Sequence, residues 1–540
     1  MAKIHGGQII ARALRNESVD TLFTLTGGHI VPILDGCVSE GIRVVDTRHE
    51  QSAGHAAEAY TRLTGRLGVA AVTAGPGVTD TVTALATALQ ASTPMLVLGG
   101  RHPIRQELRG GLQEMDHPKV VASITNWAAT AWETNRLADY IATASRHAFR
   151  GRGGPVFLDV PLDVQADVVD EDHINWPSFY RPDPMGAPLS VLEDIASRLM
   201  KSDKVVVFAG SGVRPAGARV LVELADRLQA PVFLNGAARG ALPHDHPMLG
   251  NRTRSKAFGA ADVVLALGVD WDFRTGYGDK IKEDATVIHV DSDESKIGWN
   301  RSAEVGVTAD PIRVVEDLLH HLPEGRPAGQ FARDLLEAEA DLRMAAAQES
   351  ETESELVQPQ AFGREVAEFF GPDAIVAVDG GDIVSTTARW LQVSHPGHVL
   401  DPGPFGSLGT GPGYALAAKT VHPDARVGIV FGDGGYGFNG MEFDTFVRHG
   451  LPIIGIVGNN GVWNNIKTFH RSFYPDRLVA TDLGRRPYHL IVEAMGGYGE
   501  LVVQASEIRP ALERAEASGL PALINVHIEE SIRLSSNYSQ

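Results

Sequence analysis

The stretch from Val427 to Asn465, VGIVFGDGGYGFNGMEFDTFVRHGLPIIGIVGNNGVWNN, limits the possible folds more than any other part of the chain. Val427–Phe431 carries no polar side chain and predicts a short buried strand, which Gly432-Asp433-Gly434 breaks. Met441, Phe443, Phe446 and Val447 have helical spacing over Met441–His449, and Leu451–Val457 predicts a second buried strand ending at Asn459-Asn460. A strand–turn–helix–strand unit of this kind puts polar groups at the ends of parallel strands, where open α/β sheets bind ligands. Two glycines allow the backbone to approach a phosphate closely, Asp433 offers a hard oxygen for Mg²⁺, and Asn460 offers a neutral amide oxygen to the same ion. A lone Gly-Asp-Gly is a common turn; followed across a helix and a second strand by Asn-Asn it is a far more specific signal.

Strands and helices alternate elsewhere too. Thr21–Leu25, Val44–Asp46, Val69–Thr73, Met95–Leu98 and Val156–Val160 are strand candidates in residues 1–165, and Lys204–Gly210, Pro231–Asn235, Val263–Gly268 and Thr286–Asp291 in residues 189–340. With residues 358–540, this predicts an α/β chain of three doubly wound parallel-sheet domains. Gln165–Pro188, rich in Asp and Pro, and Leu322–Gln360, with one helix, read as linkers. Four turns carry polar residues in the first domain: Thr26-Gly27-Gly28-His29, Arg48-His49-Glu50-Gln51, Ala74-Gly75-Pro76-Gly77 and Leu112-Gln113-Glu114-Met115. Glu50 opens a small-residue helix and reads equally as a carboxylate favoured by the helix dipole or as a site residue. Arg252, Arg254, Lys256 and Arg274 form a basic cluster in an acidic chain, read either as solvated charge or as a phosphate site.

The segments RHEQSAGHAAEAY, TAGPGVTD, GGPVFLDVPLDV and GDG…NN together resemble the thiamine-diphosphate (ThDP) enzymes of the acetolactate synthase-like superfamily, over essentially the whole chain. The resemblance implies a pyrimidine-binding first domain, a Rossmann-like middle domain and a diphosphate-binding third domain. It implies Glu50 as the carboxylate bonded to the cofactor's aminopyrimidine, and Gly75, Gly77, Gly381, Asp382, Gly432, Gly434 and Gly435 along the cofactor. It further implies Asp433, Asn460 and the Val462 carbonyl as Mg²⁺ ligands, with Leu408 as the apolar residue beneath the cofactor. His29, DTRHE and Gln113 are similar to benzaldehyde lyases. LQEMD, GFNGMEFDT, Arg254 and Arg389 are similar to 2-hydroxyacyl-CoA lyases and oxalyl-CoA decarboxylases, whose arginines contact coenzyme A. Leu112 stands where oxalyl-CoA decarboxylases place a tyrosine, and no FAD signature of the acetolactate synthases is evident in the middle domain.

What the resemblance implies chemically is cleavage of a 2-hydroxyacyl-CoA to formyl-CoA and an aldehyde or ketone, or the reverse condensation. His29 is then the proton shuttle, Gln113 an oxyanion donor, Glu114 either a second acid/base or a structural group, and Arg254, Arg274 and Arg389 the coenzyme A contacts. The alternatives are a carboligase acting on free hydroxyketones, another ThDP decarboxylase, or a silent ThDP-fold binding protein. A net charge of −19 argues against a general nucleic-acid partner, and the single Cys37 fits a reducing compartment. No signal peptide and no apolar run of bilayer-spanning length is evident, so the expected location is the cytoplasm, off the membrane. The expected assembly is a homodimer at least, extending to a tetramer, and the tail EESIRLSSNYSQ is expected to be frayed or a lid.

Overall fold

Apolar runs bounded by glycine and polar turns become the strands of three six-stranded sheets, each parallel throughout. The computed structural model describes residues 2–530 apart from Tyr180, Pro182, Ala216 and Glu353; the tail expected to be frayed or a lid lies almost wholly outside the described residues. The first sheet is built from Thr21–Leu25, Arg43–Asp46, Gly68–Val72, Met95–Arg101, Trp127–Thr130 and Pro155–Pro161. Numbered by their order in the chain, these strands lie in the order 2-1-3-4-6-5. The third sheet, from Ile375–Asp379, Val399–Leu400, Val427–Gly432, Ile454–Asn459, Tyr498–Val502 and Ala522–His527, has the same order. The middle sheet runs 3-2-1-4-5-6 from Val205–Ala209 through Val305–Thr308, the doubly wound dinucleotide-fold order. The chain is α/β with three doubly wound parallel sheets.

The chain forms two compact units. One comprises Met1–Pro182, Pro402–Pro423 and Asn439–Leu451; the other comprises Asp183–Asp401, Asp424–Phe438 and Pro452–Gln540. The first sheet belongs to the former, the second and third to the latter. In the first unit the small residues of SAGHAAEA have a packing cause. Helix Glu50–Thr64 meets helix Thr410–Val421 so closely that a Cβ on Gly413 would lie 2.6 Å from the Ser52 carbonyl and 2.8 Å from His55 Cβ. Only a glycine admits that approach.

Several elements differ from expectation. Trp127–Thr130, Leu249–Gly250 and Val399–Leu400 are short edge strands whose residues carry no clear alternation. The turn after Val427–Gly432 is the start of a helix, Asp433–Asn439, and the helix expected over Met441–His449 divides into a 3₁₀ turn, Gly440–Glu442, and an α-helix, Phe443–His449. The expected linker at residues 165–188 contains Val168–Asp170, which pairs antiparallel with Lys3–His5.

Candidate functional site

In the first sheet the strand order reverses between Thr21–Leu25 and Gly68–Val72, which marks the carboxyl ends of these strands as the binding edge. His29, Gly75, Gly77 and Glu50 all lie on the turns leaving that edge. Glu50 is the first residue of its helix and is buried; His49 caps the helix by accepting the Gln51 N–H at 3.1 Å. Burial holds the Glu50 carboxyl above the ordinary glutamate range, and nearby Asp80 pushes the same way. A Cβ on Gly77 would lie 3.6 Å from Glu50 Oε1, so the Ala74–Gly77 turn is beside the carboxylate.

His29 is buried, with Nδ1 3.3 Å from Thr73 Oγ1 and the Gln113 side chain close by. Burial, with the neighbouring His102 next, lowers its pKa, so the neutral ring is favoured. Gln113 sits at φ 60°, a left-handed conformation that a non-glycine residue adopts at a cost of about 1–3 kcal/mol. The structure therefore brings His29, Gln113, Gly75, Gly77 and Glu50 to one edge. Glu114 does not join them. Its oxygens accept the N–H groups of Leu108 (2.5 Å) and Gly111 (2.8 Å), bonds that hold its pKa down. Of the two readings of Glu114, the loop-holding carboxylate is the one the geometry favours.

Two groups that sequence reasoning passed over complete this unit. Glu442, almost wholly buried, accepts the backbone N–H groups of Arg48 and His49 at 3.0 Å and the Thr445 hydroxyl at 2.6 Å. It anchors the backbone immediately before Glu50, and burial raises its own carboxyl. The GFNGMEFDT motif contained the signal, read only as a pattern. The other is His117, considered below. Leu408 is half-buried in the same unit; its carbonyl accepts from Gln51 Nε2 at 3.4 Å, and adjacent Ser407 bonds Thr87 at 2.9 Å.

In the other unit, the third sheet reverses between Ile375–Asp379 and Val427–Gly432, and the turns leaving these two strands carry Gly381-Asp382 and Asp433-Gly434-Gly435. Asp433 is buried and accepts the N–H groups of Gly434 (2.9 Å) and Gly461 (2.7 Å). Desolvation, aided by Asp382, pushes its carboxyl up to about 6. Asn460, also buried, accepts the Val462 N–H at 3.2 Å, which folds the Asn460–Val462 turn back beside Gly461. Asp382 accepts from Asn464 Nδ2 at 2.6 Å, and burial raises its pKa too. Two buried carboxylates, of which Asp382 raises Asp433, beside an amide oxygen and a backbone turn, form an all-oxygen donor set suited to a hard divalent cation. The residues present fit a cation-bridged diphosphate.

The glycines here have a second cause. A Cβ on Gly434 would meet the Trp463 ring at 2.2 Å, one on Gly435 the Asp379 carbonyl at 2.6 Å, and one on Gly432 the Gly380 carbonyl at 2.9 Å. Close packing of the strand ends thus demands these glycines whether or not a phosphate approaches.

The middle-domain arginines separate into two groups. Arg274 is clamped by Asp272 (Nη2–Oδ2 2.7 Å, Nε–Oδ2 3.0 Å), which occupies one edge of its guanidinium fork. Arg254 donates to the Arg274 carbonyl at 3.0 Å over the Phe208 ring, and burial, then Arg239, lowers its pKa. Arg252 lies 5.3 Å from the Trp390 ring centre, with its pKa lowered by burial and then by Arg389, which is exposed at the end of helix Gly381–Ala388. Two guanidinium groups that repel each other beside an aromatic face suit a shared anion. Glu339, on helix Gln330–Ser350, accepts the N–H groups of Asn251 (3.1 Å), Arg252 (2.8 Å) and Thr253 (3.0 Å), which sets this stretch in place.

The N-terminal TPP binding domain, central domain and C-terminal TPP binding domain of thiamine pyrophosphate enzymes match residues 4–120, 192–318 and 379–526. A probable acetolactate synthase of Mycobacterium bovis is 39% identical over 98% of this chain and 96% of that protein. The 2-hydroxyacyl-CoA lyase 2 of Caenorhabditis elegans is 34% identical over 98% of the chain and 90% of its own length, and that of Homo sapiens 34% over 97% and 90%. Both names occur among proteins that match end to end, including the one the missing FAD signature argued against. With three family domains matched in order and relatives of this identity, the chain belongs to the thiamine pyrophosphate enzymes and is a ThDP-dependent enzyme of the acetolactate synthase-like superfamily, close to the 2-hydroxyacyl-CoA lyases.

Proposed function

We propose that the chain is a ThDP- and Mg²⁺-dependent 2-hydroxyacyl-CoA lyase, cleaving its substrate to formyl-CoA and an aldehyde or ketone and able to run the reverse condensation. The observation that carries the reading is the Arg252–Arg389 pair beside the Trp390 ring, an anion site that suits an acyl-CoA, while His29 and Gln113 stand at the edge that also holds Glu50. ThDP, when bound, supplies a carbon nucleophile and an electron sink. Glu50, whose pKa burial raises, holds a proton at the aminopyrimidine. His29, kept neutral by burial, takes the proton of the substrate 2-hydroxyl as the carbon–carbon bond breaks. Gln113 donates an N–H to the oxygen where charge develops. Asp433, Asn460 and the Val462 carbonyl would hold Mg²⁺, and the turns at Gly381-Asp382 and Gly432–Gly435 would take the diphosphate.

Arg252 and Arg389 take the phosphates of the coenzyme A, with Arg254 lending charge from behind. Arg389→Ala is expected to raise KM for an acyl-CoA about 10- to 100-fold, in line with about 1.5–3 kcal/mol for a charged hydrogen bond. Turnover of small hydroxyketones should be unchanged; equal losses on both substrates would make the arginines structural. The enzyme works as a homodimer or a tetramer of two dimers, in the cytoplasm.

Acetolactate synthase is the second reading, favoured by the 39% identity along the whole chain. One experiment separates the two. Purified protein reconstituted with ThDP and Mg²⁺ is given 2-hydroxyacyl-CoAs, straight and branched, or pyruvate alone. Formyl-CoA release supports the lyase; acetolactate from pyruvate, with no formyl-CoA, supports the synthase and sinks the lyase. Benzoin cleavage without either product would select a carboligase independent of coenzyme A.

A further inference from the structure

His117 is fully buried and lies outside every residue set considered so far. Its Nε2 accepts the backbone N–H of Gly75 at 2.8 Å. The other ring nitrogen, Nδ1, is 2.9 Å from Asp159 Oδ1. These two bonds fix the proton: Nε2 must keep its lone pair, so Nδ1 carries the hydrogen and donates it to Asp159. Asp159, also fully buried, is neutralised from its other side by Arg101 (2.7 Å), which in turn is gripped by Glu107 at 2.7 and 2.8 Å. The ring is therefore held in one tautomer and one orientation by a buried chain of charge that ends on a backbone amide.

That amide belongs to a glycine with little freedom. Gly75 has φ 59° and ψ −111°, and a Cβ there would lie 2.8 Å from Gln113 Cβ and 3.2 Å from its carbonyl oxygen. The Gly75 backbone thus seats the Gln113 backbone, itself held at φ 60°, while Gly77 two residues on borders Glu50 Oε1. The Gln113 side chain in turn lies close to His29. The path runs from His117 through Gly75 to Gln113, within one compact unit.

We propose that His117, oriented by Asp159, is a positioning residue that acts through the Gly75 turn to hold Gln113 in its strained conformation, with its amide aimed at the reacting carbonyl group. This rests on Gln113 acting on the substrate in the proposed lyase reaction. His117 touches neither substrate nor cofactor and is not a catalytic residue.

The test uses two substitutions of one side chain. His117→Phe keeps an aromatic ring but loses both hydrogen bonds. His117→Gln keeps one acceptor and one donor on a side chain that reaches about as far. The full-length enzyme with ThDP and Mg²⁺ is assayed for formyl-CoA release, and ThDP affinity is titrated separately by fluorescence. His117→Phe is expected to lower kcat about thirtyfold with KM changed less than threefold, and His117→Gln to recover most of the loss. In a Gln113→Ala background, His117→Phe should cost less than threefold, because the residue through which it acts is gone.

An equal loss in both backgrounds would overturn the proposal, as would a His117→Gln variant that binds ThDP like the parent yet stays as slow as His117→Phe. A His117→Phe chain that fails to fold shifts the test to Asp159→Asn, which keeps an acceptor for Nδ1–H. Its loss should likewise vanish in the Gln113→Ala background, and persistence there would overturn the proposal. If the parent releases no formyl-CoA, the lyase reading fails first. The same cycle run on acetolactate or benzoin formation still decides whether His117 acts through Gln113.

Discussion

Glu50→Gln is expected to lower turnover about 10²–10⁴-fold, the range that a positioned acid or base contributes, while the apo-protein becomes no less stable. The two effects have one cause. Glu50 is buried at the first position of its helix, and burial, with Asp80 adding to it, raises its carboxyl above the ordinary range. A carboxyl whose pKa is higher in the folded chain than in the unfolded one stabilises the fold fully at pH below its unfolded pKa. That contribution is lost as pH rises through the folded pKa. Above its folded pKa the ionised Glu50 is therefore a burden on the apo-fold that glutamine does not share. The melting temperature of apo Glu50→Gln should match the parent at low pH, rise above it as pH climbs from the unfolded to the folded pKa of Glu50, and hold that lead at higher pH. Exchange of the C2 proton of bound ThDP, followed by NMR, measures the functional half. Exchange at the parent rate in the variant would remove Glu50 from its assigned role, and a melting point that falls below the parent's near pH 7 would contradict the account of its burial.

The parts of this protein that could be read from sequence are those where one residue type is forced by one local geometry. Val427–Gly432 and Ile454–Asn459 are strands buried from end to end, so their apolar runs announce them, and the turns that follow hold Asp433 and Asn460 as their spacing implied. Glu50 was placed at a helix start because a strand and a small-residue helix bracket it. The residues missed are those whose partners are distant in the chain. Glu442 anchors Arg48 and His49, and Glu339 anchors Asn251–Thr253; nothing near either glutamate foretells the pairing. His117 holds Gly75 across a strand and a loop. Arg274 shows the converse. It stands in a basic cluster, but Asp272, two residues away, claims one edge of the guanidinium once Asp272 caps the turn. Short edge strands such as Val399–Leu400 were lost because two residues have no period to read.

Asp433→Ala is expected to weaken Mg²⁺-dependent ThDP binding on the order of 100-fold, since losing one oxygen from a small set leaves the diphosphate without its bridging charge. The fold should survive, because the substitution also removes a buried carboxylate whose pKa desolvation pushes up to about 6. The diagnostic experiment pairs this variant with the first. Glu50 belongs to one compact unit and Asp433 to the other, and we propose that the two-fold related subunits of a dimer each supply one of them to a given cofactor. Glu50→Gln and Asp433→Ala chains are each expected to be nearly inactive alone at a ThDP concentration that saturates only the parent. In a mixed dimer one site carries both defects and the other carries neither. Random exchange of subunits makes half of all dimers mixed, each with one working site of two, so about a quarter of parental activity should return. Exchange is verified by native mass spectrometry of isotope-labelled chains before the assay. Restored activity near that fraction supports sites shared between two-fold related subunits. If exchange is complete and no activity returns, both residues serve the cofactor from a single chain and the proposed assembly fails. An Asp433→Ala chain that binds ThDP as tightly as the parent in the initial titration would refute the metal assignment before any mixing is done.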